Sequence, residues 1–374
     1  MDTNLIALSI PAFFALIGVE LAVARAQGLR VYRFADSVAD LACGIGSQVV
    51  VVFFQAALLA GYAWLYARAA LWQPPPVGEV ALAFLGVDLC YYAWHRASHE
   101  VNVLWAVHVV HHQSEEYNLA VALRQAWFSP LTSWPFYLPL AVLGVRPLVF
   151  ATIQALSTLY QFWIHTRCIG KLGPLEWLFN TPSHHRVHHG RNPKYLDRNH
   201  GATLIVWDRL FGTFQEEEEA PVYGTVKPYE SWNALWANFA YAAELAAQAR
   251  GLARPLDRLR VWLATPGWRP GADAQAIRAE AGPLAELDRP VRFDPAYSRA
   301  RFWWAFANLT LAVIATSAYL FVPLATAPRA LAAGLILWTL ATVGGLLEGR
   351  AWAVPLEVAR LALLALALGW RAAS

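Results

Sequence analysis

The sequence contains few charged residues and few cysteines, and both shortages limit what the protein can be. Asp, Glu, Lys and Arg make up 15% of its 374 residues, against about 25% in soluble domains. The three cysteines, Cys43, Cys90 and Cys168, provide neither a disulfide framework nor a cysteine-rich zinc site. The net charge of +3 is too small for a nucleic-acid-binding protein, so we expect no nucleic-acid partner.

Histidine is absent from the first 94 residues and from the last 174, yet 11 histidines lie between them. Three clusters account for most of these: His95-x3-His99, His108-x2-His111-His112 and His184-His185-x2-His188-His189. Imidazoles at i, i+3 and i+4 project from one face of a helix, and neutral imidazole binds zinc, copper, iron and nickel. So many ligands in so short a stretch predict more than one metal ion.

Hydrophobic residues account for 57% of the chain, and they form runs close to the ~20 residues that cross a bilayer. The runs are Leu5–Val23, Val38–Tyr66, Val77–Ala93, Trp127–Val145, Pro147–Ile164, Phe302–Val322, Ala330–Leu347 and Trp352–Trp370. The first run lacks the basic flank of a signal peptide, so we expect it to stay as an anchor. The predicted fold class is all-α, a polytopic integral-membrane helical bundle.

Basic residues after the first run set the predicted orientation. If Arg25, Arg30 and Arg33 are cytosolic, as the positive-inside tendency favours, the run from Val77 returns its histidines to the cytosolic end. The hairpin of residues 127–164 starts and finishes on that side too. We therefore expect a multi-pass protein with a cytosolic-face di-metal site, in the inner membrane of a bacterium or the endoplasmic reticulum of a eukaryote.

Composition divides the chain into four segments. We predict an N-terminal transmembrane anchor region (1–76), a histidine-motif catalytic core (77–224), a cytosolic polar segment (225–301) and a C-terminal transmembrane block (302–374). Every histidine falls in the second segment, so we expect the chemistry there.

The helix predicted from Val77 carries a polar stripe that leads to the first cluster. At helical spacings of 4, 3 and 4, its members are Asp88, Tyr92, His95 and His99. Carboxylates within membrane segments are costly and usually point toward a site. We expect Asp88 to support a ligand through Tyr92 or another histidine; a plain hydrogen bond to a neighbouring helix is an equal alternative.

A second polar stripe leads to the isolated His165. Its members are Gln154, Ser157, Gln161 and His165, which share one helical face. The stripe favours His165 as a metal ligand, with Gln161 supporting it, over a merely interfacial histidine.

The third cluster has start and stop signals for a helix of its own. Thr181 can cap the N-terminus, Pro182 takes the first helical position and Gly190 can terminate the helix. The two turns between them present together His185, His188 and His189. So short a helix is a poor core element, and a bound metal best explains its stability.

The residues alone leave several metal chemistries open. A structural zinc site uses four ligands, and a two-zinc hydrolase would bring bridging carboxylates, which are not spaced into these clusters. Bis-histidine haem does not suit the adjacent His111-His112 and His188-His189 pairs. An all-imidazole shell favours redox iron that handles oxygen. The non-enzymatic alternative is a metal transporter, but transporters place ligands near the bilayer midplane, whereas these clusters lie beyond helix ends.

The order of motifs, HxxxH, HxxHH and HxxHH on a polytopic chain, resembles the fatty acid hydroxylase/sterol desaturase superfamily of integral-membrane di-iron enzymes. Two stretches resemble its ether-lipid-cleaving branch, the alkylglycerol monooxygenases: Glu116–Gln125 and Leu159–Thr166. Together with Trp105–His112, Asn180–Asn192 and Ile205–Phe214, they extend the resemblance over a little more than a third of the chain.

The resemblance implies two iron ions and eight essential histidine ligands. Matched residue by residue, the ligands are His95, His99, His108, His111, His112, His185, His188 and His189. His165 matches an extra ligand position of related membrane desaturases, and Glu100 matches a glutamate linked to activity. His200 stands where this branch leads us to expect tyrosine; we expect it and His184 to support the ligands.

The implied reaction is oxygen-dependent hydroxylation of a lipid in the bilayer. In an O-alkyl glycerol the hydroxyl group enters at the carbon next to the ether oxygen, and a fatty aldehyde is released. Animal members of the family draw electrons from tetrahydrobiopterin, and another donor is equally compatible with this sequence. Hydroxylation or desaturation of a sterol, fatty acid or carotenoid is the alternative within the superfamily.

The stretch after the second cluster predicts a headgroup site. Arg124 is the nearest cation for a phosphate or a glycerol hydroxyl, with Asn118 and Gln125 able to hydrogen-bond the same group. The alternative is that Arg124 pairs with Glu115 or Glu116 as part of the fold.

Overall fold

The chain folds almost entirely into helices. The computed structural model describes residues 5–272 and 292–373, and within these ranges the only β-structure is an isolated bridge between Phe179 and Leu204. The predicted all-α fold class is confirmed. Residues 273–291, in the predicted polar segment 225–301, lie outside the described residues, and the division into four segments stays a prediction.

The described residues form α-helices of very different lengths. They are α1 (Leu5–Ala26), α2 (Phe34–Val51), α3 (Gln55–Ala69), α4 (Pro76–Glu100), α5 (Asn102–His112), α6 (Leu119–Ala122), α7 (Ser129–Val142), α8 (Pro147–Trp163), α9 (Pro182–His188), α10 (Val206–Phe211), α11 (Ala234–Ala237), α12 (Ala240–Gly251), α13 (Pro255–Leu263), α14 (Arg299–Phe321), α15 (Thr326–Leu347) and α16 (Ala353–Ala373). Prolines begin α4, α8, α9 and α13, at positions where a missing N–H leaves no helical bond unmade.

Five of the described helices are long and apolar enough to cross a membrane: α1, α2, α4, α14 and α15. The predicted run Val38–Tyr66 is not one helix. The backbone N–H groups of Phe53 and Phe54 donate to the carbonyls of Val50 and Val51, three residues back, and this tight turn separates α2 from α3. Neither proline nor glycine marks the break, so composition alone could not place it.

One bundle joins α2 to the C-terminal helices α14 and α15. Small side chains such as Ala39 and Ala42 of α2 are buried against Ala305 and Ala312 of α14, and small residues allow membrane helices to approach closely. The Tyr319 hydroxyl of α14 donates to a backbone carbonyl of α2 at 3.1 Å, which satisfies a polar group inside the bundle.

A second bundle contains α3, α4, α7 and α8. The rings of Tyr62 and Phe150 stack with centroids 4.4 Å apart, and the Tyr62 hydroxyl donates to the Val145 carbonyl at 3.0 Å. Buried Val87 of α4 packs in the same cluster. This packing fixes α4, and α5, α9 and the turn after α8 come together at its C-terminal end.

Candidate metal centre

The nine imidazoles at the end of α4 separate into two groups. Group A consists of His95, His99, His108, His112 and His188. Group B consists of His111, His165, His185 and His189. Within each group, one nitrogen from every ring lies within 4.8 Å of the others, and every ring is buried. Neither group contains a carboxylate or a cysteine, so each is an all-imidazole site that could hold a metal ion.

Helical geometry explains why both short helices serve both groups. On α5, His108 and His112 are one turn apart and enter group A, whereas His111 enters group B. On α9, His188 enters group A, whereas His185 and His189 enter group B. Each helix therefore lies between the two groups, and the three-residue and four-residue spacings distribute its ligands.

The α9 helix exists as predicted, but its ends differ from the prediction. Thr181 has the extended backbone of a cap residue, yet its hydroxyl donates to Glu176 at 3.0 Å instead of capping the helix. Gly190 is not in the left-handed conformation. A Cβ atom there would lie 2.8 Å from the ring of Tyr195 and 3.1 Å from the Val187 oxygen, so glycine provides room rather than a helix stop.

Hydrogen bonds fix the protonation of two group B rings. The Nδ1 of His111 lies 3.1 Å from the Arg124 carbonyl oxygen, and the Nδ1 of His165 lies 2.7 Å from that of Gln161. A carbonyl oxygen can only accept, so each Nδ1 carries the proton and each Nε2 of the neutral ring is bare. These two Nε2 atoms are 3.2 Å apart. Two facing lone pairs repel, and a shared cation would remove that repulsion.

The electrostatic surroundings keep the rings in the form that binds metal. Burial lowers the pKa of His111 to about 4. Burial and the neighbouring imidazoles hold the pKa values of His185 and His189 well below the ordinary value for histidine. The Nε2 atoms of His188 and His189 are buried without a hydrogen-bond partner. Neutral rings with unpartnered nitrogens fit a metal site.

His165 lies in group B, in agreement with its predicted position as an extra ligand; the role itself stays a prediction. The other two histidines are buried outside both groups. The His184 ring packs edge-on against Phe214 with centroids 5.4 Å apart. The His200 ring centroid lies 5.1 Å from that of His99, and its Nδ1 is 3.7 Å from Asp208. The position of His200 beside His99 suits its predicted supporting role, whereas the ring contact of His184 is with Phe214 and its supporting role stays a prediction.

Asp88 contacts a loop rather than a histidine or Tyr92. Its carboxylate accepts hydrogen bonds from the backbone N–H groups of Thr203 at 2.8 Å and Leu204 at 3.1 Å. The Tyr92 hydroxyl is hydrogen-bonded to Thr213 at 2.9 Å. The indole Nε1 of Trp207 in α10 also donates to the Asp88 carboxylate, at 2.9 Å, which agrees with the alternative of a hydrogen bond to a neighbouring helix. Both stripe residues therefore hold the segment that follows α9, and the expected route from Asp88 through Tyr92 is corrected.

Glu100, expected to take part in activity, does not lie in the centre. Its carboxylate is 46% exposed and accepts from Nε of Arg96 at 2.9 Å. One residue beyond His99, a helix has turned by about 100°, so Glu100 points away from the face that carries the ligands. Its contacts are those of a surface ion pair.

Arg124 contributes to the fold, and its contacts do not suit a headgroup ligand. The side chain is 2% exposed and donates to Asp40 at 3.1 Å, Gln113 at 3.0 Å and the Val110 carbonyl at 2.7 Å. Its own carbonyl accepts from His111. The side-chain donors of Arg124 are therefore directed at protein groups, and its backbone carbonyl helps to position the His111 ring of group B.

The contacts of Asn118 do not suit a headgroup ligand either, and the alternative ion pair of Arg124 is not observed among the described residues. Asn118 is fully buried; it caps α6 by accepting from the Ala120 N–H at 2.9 Å and donates to the Val31 carbonyl at 2.6 Å. Glu115 and Glu116 bind Arg33 instead of Arg124. Proximity in sequence suggested that Arg124 and these glutamates pair with one another. In the fold, Arg124 pairs with Asp40 of α2, and the glutamates pair with Arg33, just before α2.

A cavity of about 370 Å³ opens beside the histidines and runs among the membrane helices. His108, His111 and His165 line it at the metal centre. Along α8 the lining continues from Phe162 to Phe150, a rise of about 18 Å. Further walls come from α1, α2, α3, α7 and α14, so the cavity is a mostly apolar chamber that can take an extended lipid chain.

Two amide side chains line the cavity near group B: Gln125 and Gln161. Their Nε2 atoms donate to the carbonyls of Ala122 at 2.8 Å and Ser157 at 3.1 Å. Among the described residues, neither Oε1 atom accepts a hydrogen bond. The amides can therefore accept hydrogen bonds from a hydroxyl-bearing ligand, as expected for Gln125.

Sequence reasoning missed a carboxylate in the first membrane helix. Glu20 is buried and accepts from the Thr166 hydroxyl at 2.5 Å and the Leu119 N–H at 2.8 Å. It therefore holds the residue next to His165. The rule that intramembrane carboxylates point toward a site could have found it, as it found Asp88.

Comparisons with known proteins give a consistent result. The family model for fatty acid hydroxylase matches residues 80–213. The alkylglycerol monooxygenase of Xenopus tropicalis is 36% identical over 93% of this chain and 78% of its own length. That of Danio rerio is 35% identical over 95% and 80%, and that of Homo sapiens 40% identical over 72% and 61%. No solved structure matches this chain.

Proposed function

Since this chain belongs to the alkylglycerol monooxygenase family, we propose that groups A and B each bind one iron ion for the cleavage of O-alkyl glycerols. The resemblance stated from the histidine motifs is confirmed, and so is the expectation of an oxidoreductase that hydroxylates a lipid chain. Its lipid substrate and molecular oxygen are its reaction partners. The number and identity of the metal ions, the residues that act and the electron donor are the proposed parts.

The overall chemistry balances with one oxygen molecule and a two-electron donor. One oxygen atom enters the C–H bond beside the ether oxygen, and the other leaves as water after taking up two electrons and two protons. The hydroxylated product is a hemiacetal, which collapses to a fatty aldehyde and a glycerol hydroxyl. Bound iron would supply the activation of oxygen and the oxidation of the C–H bond.

The chain's own residues position the substrate. The apolar wall along α8 would hold the alkyl chain, since the lining between Phe162 and Phe150 is continuous. The ether carbon is next to the glycerol, so the glycerol hydroxyls must lie near the metal centre. The Oε1 atoms of Gln125 and Gln161 would accept from these hydroxyls. The bilayer and the buried walls exclude bulk water from the reacting carbon.

The observation that carries the proposal is the pair of bare Nε2 atoms, on His111 and His165, at the end of a membrane cavity. Their Nδ1 protons are committed to backbone carbonyls, and both rings line the cavity. A metal bound there would meet a lipid chain directly. A transporter would instead need the ligands along a polar path.

We infer that the centre faces the cytosol. The basic segment after α1 lies on the same side as the histidines, because the Gln27 side chain donates to the Cys168 carbonyl at 3.2 Å, just beyond His165. Basic flanks favour the cytosolic side. A reduced pterin such as tetrahydrobiopterin is the proposed donor, as in the animal members of the family.

The test is a product analysis with purified, iron-loaded enzyme in lipid nanodiscs. With oxygen and reduced pterin, an O-alkyl glycerol is expected to yield a fatty aldehyde. Parallel reactions contain a sterol or a free fatty acid. A hydroxylated or desaturated sterol or acyl product, with no aldehyde from any ether lipid, would contradict the proposal. Aldehyde formation only with a non-pterin reductant would overturn the choice of donor alone.

A further inference from the structure

One short loop lies behind group A and provides acceptors for three of its five imidazoles. We name residues 197–201 the support loop. The Nδ1 of His95 lies 2.8 Å from the His200 carbonyl oxygen, and the Nδ1 of His188 lies 2.9 Å from that of Arg198. The Nδ1 of His99 lies 3.4 Å from the carboxylate of Asp197. Each contact leaves Nε2 as the nitrogen that faces the group.

The support loop has an unusual backbone. Asp197 and Asn199 both have φ of 56°, in the left-handed region that few residues other than glycine, asparagine and aspartate enter. They alternate with Arg198 and His200, whose carbonyls both face the histidines. Such strain persists only when surrounding contacts hold it, and it is concentrated at functional sites.

Side-chain hydrogen bonds hold this backbone in place. Asn199 donates to the carbonyls of His184 at 3.1 Å and Gln215 at 2.7 Å, and it accepts from the Gln215 N–H at 2.8 Å. Asp208 accepts from the N–H groups of His200 at 2.7 Å and Gly201 at 2.8 Å. Both residues are fully buried, so water does not compete for these hydrogen bonds.

The loop's last residue must be glycine because there is no room for a side chain. A Cβ atom on Gly201 would lie 2.4 Å from the Leu204 carbonyl oxygen and 3.0 Å from Asp208. Asp88 of α4 then binds the next backbone N–H groups, at Thr203 and Leu204. Asp208 therefore holds the end of the support loop, and Asp88 holds the residues that follow it.

Group B is supported from elsewhere. The Nδ1 of His111 uses the Arg124 carbonyl and the Nδ1 of His165 uses that of Gln161. In the described part of the chain, no group B ring nitrogen is hydrogen-bonded to the support loop. The ring nitrogens of the two groups therefore have separate acceptors, although α5 and α9 contribute residues to both groups and Asn199 also binds the backbone of α9 at His184.

We propose that the support loop positions the ligands of one metal ion only, the ion in group A, with Asn199 and Asp208 as the positioning residues. This inference rests on the proposed binding of one iron ion by each group. Loosening the loop frees the rings of His95, His99 and His188 to rotate, so group A loses affinity while group B retains its ion. Loss of such a supporting contact typically lowers metal affinity by about 10–100-fold.

The test measures iron per chain after anaerobic loading with ferrous ion, in the full-length protein. Asn199→Ala and Asp208→Asn are expected to bind close to one iron where the wild type binds two. The matched control is Asn308→Ala, which removes a buried asparagine of α14 far along the chain from the loop; it should keep two. Adding His185→Ala to Asn199→Ala should bring the content close to zero.

A milder pair of variants guards against misfolding. Asp197 is 43% exposed, and glycine tolerates its positive φ, so Asp197→Gly removes only the carboxylate and should lower the affinity of group A for iron. Asp197→Asn keeps an acceptor oxygen and should bind iron more tightly than Asp197→Gly. Loop variants that keep both irons, or that lose both while remaining helical and monodisperse, would overturn the inference. A wild-type protein that never binds two ions would instead contradict the proposed function.

Discussion

The chemistry of each imidazole depends on what its two nitrogens face. In His111, His165, His95 and His188, Nδ1 faces a backbone carbonyl, so the proton is fixed there and Nε2 is left to bind metal. His184 is adjacent to a ligand in sequence, yet its ring packs on Phe214. Neighbouring histidines can therefore differ completely in function.

His165→Ala should abolish turnover and remove one metal ion. The reason is that group B would keep only three imidazoles, with a cavity beside the missing one. The measurements are aldehyde formation and iron per chain. His184→Ala is the matched control, expected to reduce activity by about 10–100-fold at most, as for loss of a supporting contact. Equal losses in the two variants would refute this assignment.

Gln125→Leu and Gln161→Leu should raise KM for an O-alkyl glycerol with little change in kcat. Each substitution removes one acceptor that binds glycerol in both the ground state and the transition state. A site that hydrogen-bonds a hydroxyl discriminates against analogues lacking it, so selectivity against such an analogue should fall as well.

The matched control for these variants is Gln154→Leu, an amide on the same cavity-facing stripe of α8 but about 10 Å further from the metal centre. The kcat and KM of Gln154→Leu, for the O-alkyl glycerol and for the analogue lacking a hydroxyl, should match those of the wild type. The headgroup assignment fails if all three variants lose selectivity alike, or if none does.

At the scale of helices, Arg124 links three elements. Its guanidinium binds Asp40 of α2 and the Val110 carbonyl of α5, and its carbonyl holds His111. The residue lies just after α6, so α2, α5 and α6 are tied together behind group B. A small shift of α2, α5 or α6 would therefore move Arg124 and, through its carbonyl, the His111 ring of group B.

Arg124→Ala should destabilise the protein by about 3–5 kcal/mol, since it leaves the fully buried Asp40 carboxylate without its partner. Iron content should fall as well, because the backbone that orients His111 loses its anchor. Thermal unfolding in detergent and metal analysis provide the measurements.

Lys171→Ala removes an ion pair whose two side chains are 48% and 58% exposed, and surface pairs contribute about 0–1 kcal/mol. It serves as the control for Arg124→Ala. If Arg124→Ala unfolds like this control and changes KM alone, the original headgroup interpretation would be reinstated.

The histidine clusters were readable from the sequence because local spacing encodes them. The apolar runs correspond to helices, but Trp127–Val145 and Pro147–Ile164 form α7 and α8, which are not among the five described helices long and apolar enough to cross a membrane. The break between α2 and α3 was not readable, since no proline or glycine marks it. The predicted positions of Glu100 and Arg124 were wrong for a related reason, because both were assigned from their proximity to the histidines in sequence. The rotation of α4 directs Glu100 away from the centre, and a long-range partner, Asp40, holds Arg124. The support loop was missed because two of its three contacts with the histidines use backbone carbonyls, which residue types do not reveal.

At the scale of the whole molecule, the fold separates two environments. A mostly apolar cavity lies among α1, α2, α3, α7, α8 and α14, and histidines from the segments that follow α8 complete groups A and B at its end. This arrangement explains why all the ligands lie at one end of α4.

Chelation should remove activity without unfolding the membrane bundle, because the cores around α2 and α4 contain none of the ligands. Ferrous ion is expected to restore aldehyde formation, whereas zinc should bind and leave the protein inactive. The measurements are activity, metal content and helical circular dichroism. Recovery of full activity with zinc would rule out oxygen activation by iron.

The most direct test of the account is a reaction under ¹⁸O₂ with immediate chemical reduction of the aldehyde to its alcohol, followed by mass spectrometry. Hydroxylation beside the ether oxygen places the oxygen atom from O₂ on the released chain, because the ether oxygen leaves with the glycerol. We predict ¹⁸O in the fatty alcohol and none in the glycerol. An unlabelled fatty product, or label in the glycerol, would contradict hydroxylation at that carbon.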